Sequence, residues 1–136
     1  MIPRKYDGHE ITVLNNDAFA GHTEIKSVSM PDSVYWINNG VFSGCTSLTD
    51  ISITDTVYNI GPRTFENCES LEKIELPSKL DRIYDKAFKG CVSLKTVILP
   101  DGLEEIYSEA FADCFSLKNL YLPDSMRLNA EPCKCQ

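Results

Sequence analysis

Residues 94–117 read Leu94-Lys-Thr-Val97-Ile-Leu99-Pro100-Asp101-Gly102-Leu103-Glu-Glu-Ile106-Tyr-Ser-Glu-Ala110-Phe111-Ala-Asp113-Cys114-Phe-Ser116-Leu117. Leu117 opens the next copy of the same pattern, 23 residues after Leu94. Phe19, Phe42, Phe65, Phe88 and Phe111 keep that step. So do Ile37, Ile60, Ile83 and Ile106, with Leu14 in register before them, and Cys45, Cys68, Cys91 and Cys114. Leu48, Leu71, Leu94 and Leu117 form another column, led by Ile25. Val28, Ile51, Ile74, Val97, Leu120 and Met30, Ile53, Leu76, Leu99, Leu122 follow. Pro31, Pro77, Pro100 and Pro123 share a column broken only by Thr54, and Val34, Val57, Leu80, Leu103 and Met126 close the unit. A fixed period of this length means stacked supersecondary units, each burying its apolar side against its neighbours.

Within one unit, Leu94–Leu99 alternates as a strand, with Val97 and Leu99 inward and Thr96 and Ile98 outward. Pro100-Asp101-Gly102 makes a turn. Leu103–Ile106 is a second extended segment. Ser108–Asp113 is expected to form a single helical turn with Ala110 and Phe111 inward. The residue before each cysteine is Gly44, Asn67, Gly90 or Asp113, three of the four being residue types that readily take the left-handed conformation that ends a helix. Serines at 47, 70, 93 and 116 are placed to bond nearby backbone.

The unit Ile-x-x-x-Ala-Phe-x-x-Cys-x-Ser-Leu-x-x-Val-x-Leu-Pro-x-x-Leu-x-x resembles the BspA-like, or treponemal-type, leucine-rich repeat over roughly residues 11–128. The resemblance implies an α/β repeat fold: a right-handed leucine-rich-repeat solenoid with a parallel concave β-sheet and short helical turns. About five 23-residue coils fit. The resemblance also implies non-catalytic protein recognition or adhesion, often at a cell surface. The expected division is a lead or thin cap over 1–10, the solenoid over 11–128 and a tail over 129–136.

The whole chain of 136 residues carries 13 Lys+Arg against 20 Asp+Glu, a net charge of −7 that argues against nucleic acid. No apolar run is long enough to span a membrane. No signal-peptide core is visible near Met1, so the sequence as given reads as cytoplasmic, whereas the resemblance points to a cell-surface or lipid-anchored location. There is no His-Glu-x-x-His, Gly-x-Ser-x-Gly or phosphate loop, and no catalytic, metal or cofactor residue is assigned. The cysteine column reads as buried free thiols, because adjacent coils hold Cβ atoms about 4.8 Å apart, beyond disulfide range. His22 occupies that column in the first coil and reads as a polar cap.

The binding surface is sought on outward columns. The concave set is Lys73, Glu75, Thr96, Ile98, Asn119 and Tyr121, expected to meet a protein ligand. The convex alternative is Tyr35, Trp36 and Tyr58, which stacking would bring together. Cys133 is a lipidation candidate, because Cys133-Lys134-Cys135-Gln136 fits the bare C-a-a-X pattern. Two structural roles stand beside recognition: a spacer in a longer surface repeat protein, and weak end-to-end self-association.

Overall fold

The computed structural model describes residues 1–118, 120–123 and the backbone of 127–128. Two rows of short strands run along the stack. The first row holds β4 (Ser27–Ser29), β6 (Asp50–Ser52), β8 (Lys73–Glu75) and β10 (Thr96–Ile98). The second holds β3 (Val13–Leu14), β5 (Trp36–Ile37), β7 (Asn59–Ile60), β9 (Arg82–Ile83), β11 (Glu105–Ile106) and β12 (Arg127–Leu128). All pairings within these rows are parallel; they are in register at 23 residues, as in Val28 with Ile51 and Ile37 with Ile60, except β11 with β12, where Glu105 lies opposite Arg127 at 22. Coils 1 to 4 are those that contain β4, β6, β8 and β10, with a partial coil before them.

The alternation of apolar and polar residues sets which side of each strand is buried. The middle residue of each first-row strand is buried, with Val28, Ile51, Ile74 and Val97 at 7% exposure or less. The phenylalanine column forms the spine of the core. Neighbouring rings from Phe19 to Phe111 lie 5.3–5.7 Å apart and within 10° of parallel.

The third side of each coil is a turn, not the expected helical turn. Its amides alternate in direction. Phe42 N–H donates to Thr64 O and Gly44 N–H to Glu66 O in the next coil, whereas Ser43 and Cys45 donate back three residues to Gly40 and Phe42. A helix would turn every amide inward along its own chain. Two left-handed residues per coil produce the alternation. The anticipated column is present, with φ of 75° at Gly44, 62° at Asn67, 78° at Gly90 and 60° at Asp113. A second column, Asp17, Gly40, Arg63, Lys86 and Glu109, has φ of 56–63°. Left-handed backbone inside the segment prevents continuous helix.

The stack has a seam between coils 2 and 3. On the first row, Met30 N–H donates to Ser52 O and Leu76 N–H to Ile98 O, but Ile53, between them in the same column, has no such bond. Glu72, Asp81 and Tyr84 likewise lack the bond made by Lys95, Glu104 and Tyr107 one coil later. Both strand rows therefore divide at the same place. The turn side does not: Arg63, Phe65 and Asn67 all donate across to Asp85, Ala87 and Lys89.

The N-terminal residues close the first coil. β1 (Lys5–Tyr6) and β2 (His9–Glu10) form an antiparallel hairpin around Asp7-Gly8, both with positive φ. Arg4 pairs with Glu10 at 2.9 Å and with Asp32, tying the hairpin to the loop after β4. Ile2 N–H donates to Ser29 O at 3.0 Å, and its side chain is 8% exposed in the core.

Candidate functional site

The outward residues of the first row vary while the buried ones keep their type. Lys73, Glu75 and Ile98 are exposed and Thr96 is half-buried. Thr96 lies opposite Lys73 and Ile98 opposite Glu75. Tyr121 is 80% and Ile98 39% exposed. Together with Thr96, Asp101 and Leu122 they line a groove of about 520 Å³. Lys73 and Glu75 face a separate groove of about 440 Å³ at the seam, shared with Asp50 and Glu72. The expected concave patch is thus two adjoining grooves. Asn119 and Cys133 lie outside the described residues.

On the second row, Tyr35 and Tyr58 stack at 5.7 Å and 8°, and Trp36 meets Tyr58 edge-on at 5.6 Å and 82°. These three rings gather as their spacing implied. Farther along lies a polar cluster that sequence reading passed over. Arg82 Nε sits 3.1 Å from Glu105 Oε1, in an ion pair rather than an aligned hydrogen bond. The Tyr107 hydroxyl donates to the same oxygen at 3.3 Å. Burial, then the neighbouring Glu105 charge, raises the Tyr107 phenol. Arg82 and Glu105 are one repeat apart, so opposite charges at that spacing were the available signal.

The four column cysteines are buried and free. Each thiol donates to the phenylalanine carbonyl 26 residues earlier, at 3.2 Å from Cys45 to Phe19 and 3.0 Å from Cys91 to Phe65. Cys68 and Cys114 repeat the contact to Phe42 and Phe88. The Phe42, Phe65 and Phe88 carbonyls also accept the N–H of Cys45, Cys68 and Cys91, so the thiol fills the remaining lone pair. Burial pushes all four thiols up, Cys114 to about 12. The thiolate is the reactive form. Below about pH 9 the native column should therefore stay unreactive toward a disulfide reagent, with no rise between pH 7 and 9, and should react after unfolding in urea. Reaction of more thiols per native chain than the two of Cys133 and Cys135 would contradict the burial.

His22, heading that column, is exposed, with Nδ1 2.9 Å from Glu24 Oε2. Hydrogen bonding to His22 holds the Glu24 carboxyl below its ordinary value. Among the described residues no three His, Cys, Asp or Glu side chains are grouped to hold a metal ion. No helix among them is long and apolar enough to cross a membrane.

The stacked parallel strands, phenylalanine spine and outward variation define a leucine-rich-repeat solenoid. Residues 12–131 match the family described as BspA type leucine rich repeat region, in six copies, and the chain belongs to that family. It is similar to a leucine rich cell surface protein from Faecalibacterium prausnitzii A2-165, at 29% identity and a TM-score of 0.79, covering 90% of this chain and 31% of that one. It is similar to the leucine rich repeat protein of T. pallidum, at 37% identity and a TM-score of 0.81, covering 85% and 54%. A leucine-rich repeat protein from Bacteroides ovatus ATCC 8483 shares 28% identity with a TM-score of 0.66, covering 93% and 46%. The chain spans less than two thirds of the length of each. No functionally curated protein matches it.

Proposed function

We propose that this chain is a non-catalytic recognition module that presents the face of its first strand row to a protein ligand, in the manner of an adhesin. The observation that carries the reading is the separation of roles along each strand. Val28, Ile51, Ile74 and Val97 hold the core, while the flanking Ser27/Ser29, Asp50/Ser52, Lys73/Glu75 and Thr96/Ile98 change charge and polarity from coil to coil. Such a surface can be rewritten without disturbing the fold. Ile98 and Tyr121 supply the apolar anchor, and Lys73 and Glu75 supply charged flanks. Aromatic anchors with polar surroundings are what protein interfaces use. A cell-surface location, taken from the name of the F. prausnitzii protein, belongs to the same proposal.

A photo-crosslinking residue placed at position 98 tests it, with position 69 as an exposed control away from the strand face. Presented to a surface-protein extract, the residue at 98 should trap a discrete partner absent at 69. Lys73→Glu combined with Tyr121→Ser should abolish the adduct while the circular dichroism spectrum stays unchanged. Adducts no more frequent at 98 than at 69 would reject this face and favour a spacer.

A further inference from the structure

The second strand row carries a surface of different chemistry. The column just ahead of its strands runs Thr12, Tyr35, Tyr58, Asp81, Glu104. Tyr35 and Tyr58 are stacked and remain 40% and 47% exposed. Trp36, edge-on to Tyr58, is held in place because its indole N–H donates to Asn38 Oδ1 at 3.0 Å. The next two positions in the file, Asp81 and Glu104, are exposed carboxylates. Neither forms an ion pair among the described residues. The adjacent cation Arg82 is taken by Glu105 at 3.1 Å. Past the seam, the aromatic platform is therefore followed by two such carboxylates, which stand one bonded coil, about 4.8 Å, apart.

Ring faces attract cations, and guanidinium groups stack on them best. Carboxylates one or two steps further can take the charged heads, and a chain of net charge −7 favours approach by a cationic partner. We propose that this file is a second recognition surface, for an extended arginine-rich segment of a protein partner. Its cationic side chains pack on Tyr58 and Trp36 and pair with Asp81 and Glu104. The surface is independent of the first-row face, so either can fail without the other.

Trp36 is the single tryptophan, so its emission reports occupancy of this platform directly. The probe is an eight-residue peptide alternating Arg and Ser, with a Glu/Ser peptide as the charge control. The Arg peptide should shift Trp36 emission saturably, and the Glu peptide should not. Asp81→Asn with Glu104→Gln should weaken binding about tenfold, as two partly screened contacts of this kind imply. Tyr58→Leu should weaken it as well, with circular dichroism confirming the fold of each variant. Asp50→Asn with Glu69→Gln removes the same charge elsewhere and should leave affinity unchanged. No saturable shift, an equal response to the Glu peptide, or equal losses in the two charge-matched variants would overturn the proposal. An emission shift given by a neutral oligosaccharide and not by the Arg peptide would overturn it too.

Discussion

The backbone amides of Ile53, Glu72, Asp81 and Tyr84 should exchange with solvent deuterium at least about a hundredfold faster than their equivalents one coil away. The comparison is controlled by the repeat itself. Met30 and Leu76 share the column of Ile53 and donate at 3.3 and 3.0 Å, and Tyr58 and Glu104 share that of Asp81 and donate at 3.1 and 2.9 Å. A bonded amide must wait for local opening, which in a packed element costs roughly 3 kcal/mol or more, whereas an unbonded one near the surface does not wait. The side chains explain why the seam falls here. Before it, coils are strapped by hydroxyls and amides: Ser33 to Ile11 O, Thr56 to Val34 O, Asn59 to Ile37 O. After it, they are strapped by ion pairs: Arg82–Glu105, Lys89–Glu109 and Lys95–Glu72. Across it the strand side keeps one such strap, from Ser78 N–H to Asp55. Fast exchange would mean that the stack flexes as two blocks about its turn edge. Exchange equal to that of neighbouring coils would mean that the strand rows close in solution.

Phe65→Ala should cost about 3–5 kcal/mol, the largest loss expected from one substitution. The ring is fully buried, with Phe42 at 5.7 Å on one side and Phe88 at 5.3 Å on the other. Its contact with Phe88 bridges the seam on the side that still holds. A natural domain is stable by only about 5–15 kcal/mol, so the urea midpoint should fall by roughly a fifth or more. Phe19 lies at the end of the column, is only partly buried and stacks on one ring, so Phe19→Ala should cost markedly less. Phe65→Leu, which keeps most of the volume, should fall between Phe65→Ala and the native chain. Equal losses at 19 and 65 would show that ring stacking along the column does not carry the stability.

Much of this architecture was legible because burial restricts residue type. Phe42, Cys45, Leu48 and their repeats must be small or apolar wherever they recur, so one period exposes the fold and the core together. The aromatic platform was legible for the same reason, since positions 35 and 58 are one period apart and must stack. The second left-handed column was not. Asp17, Arg63, Lys86 and Glu109 share no chemistry, and the backbone at Asp17, Arg63 and Lys86 is held by hydrogen bonds to the next coil, as from Arg63 N–H to Asp85 O. That is also why a helical turn was expected where alternating turns occur. The split of the concave patch and the seam were equally hidden, because both depend on whether residues 23 apart approach within bonding distance. Sequence determined the period, the core and the outward columns, since each follows from which side chains water excludes. Tertiary structure alone decided where the stack is bonded and where it parts, because a hydrogen bond is gained or lost over a few tenths of an ångström that no residue type encodes.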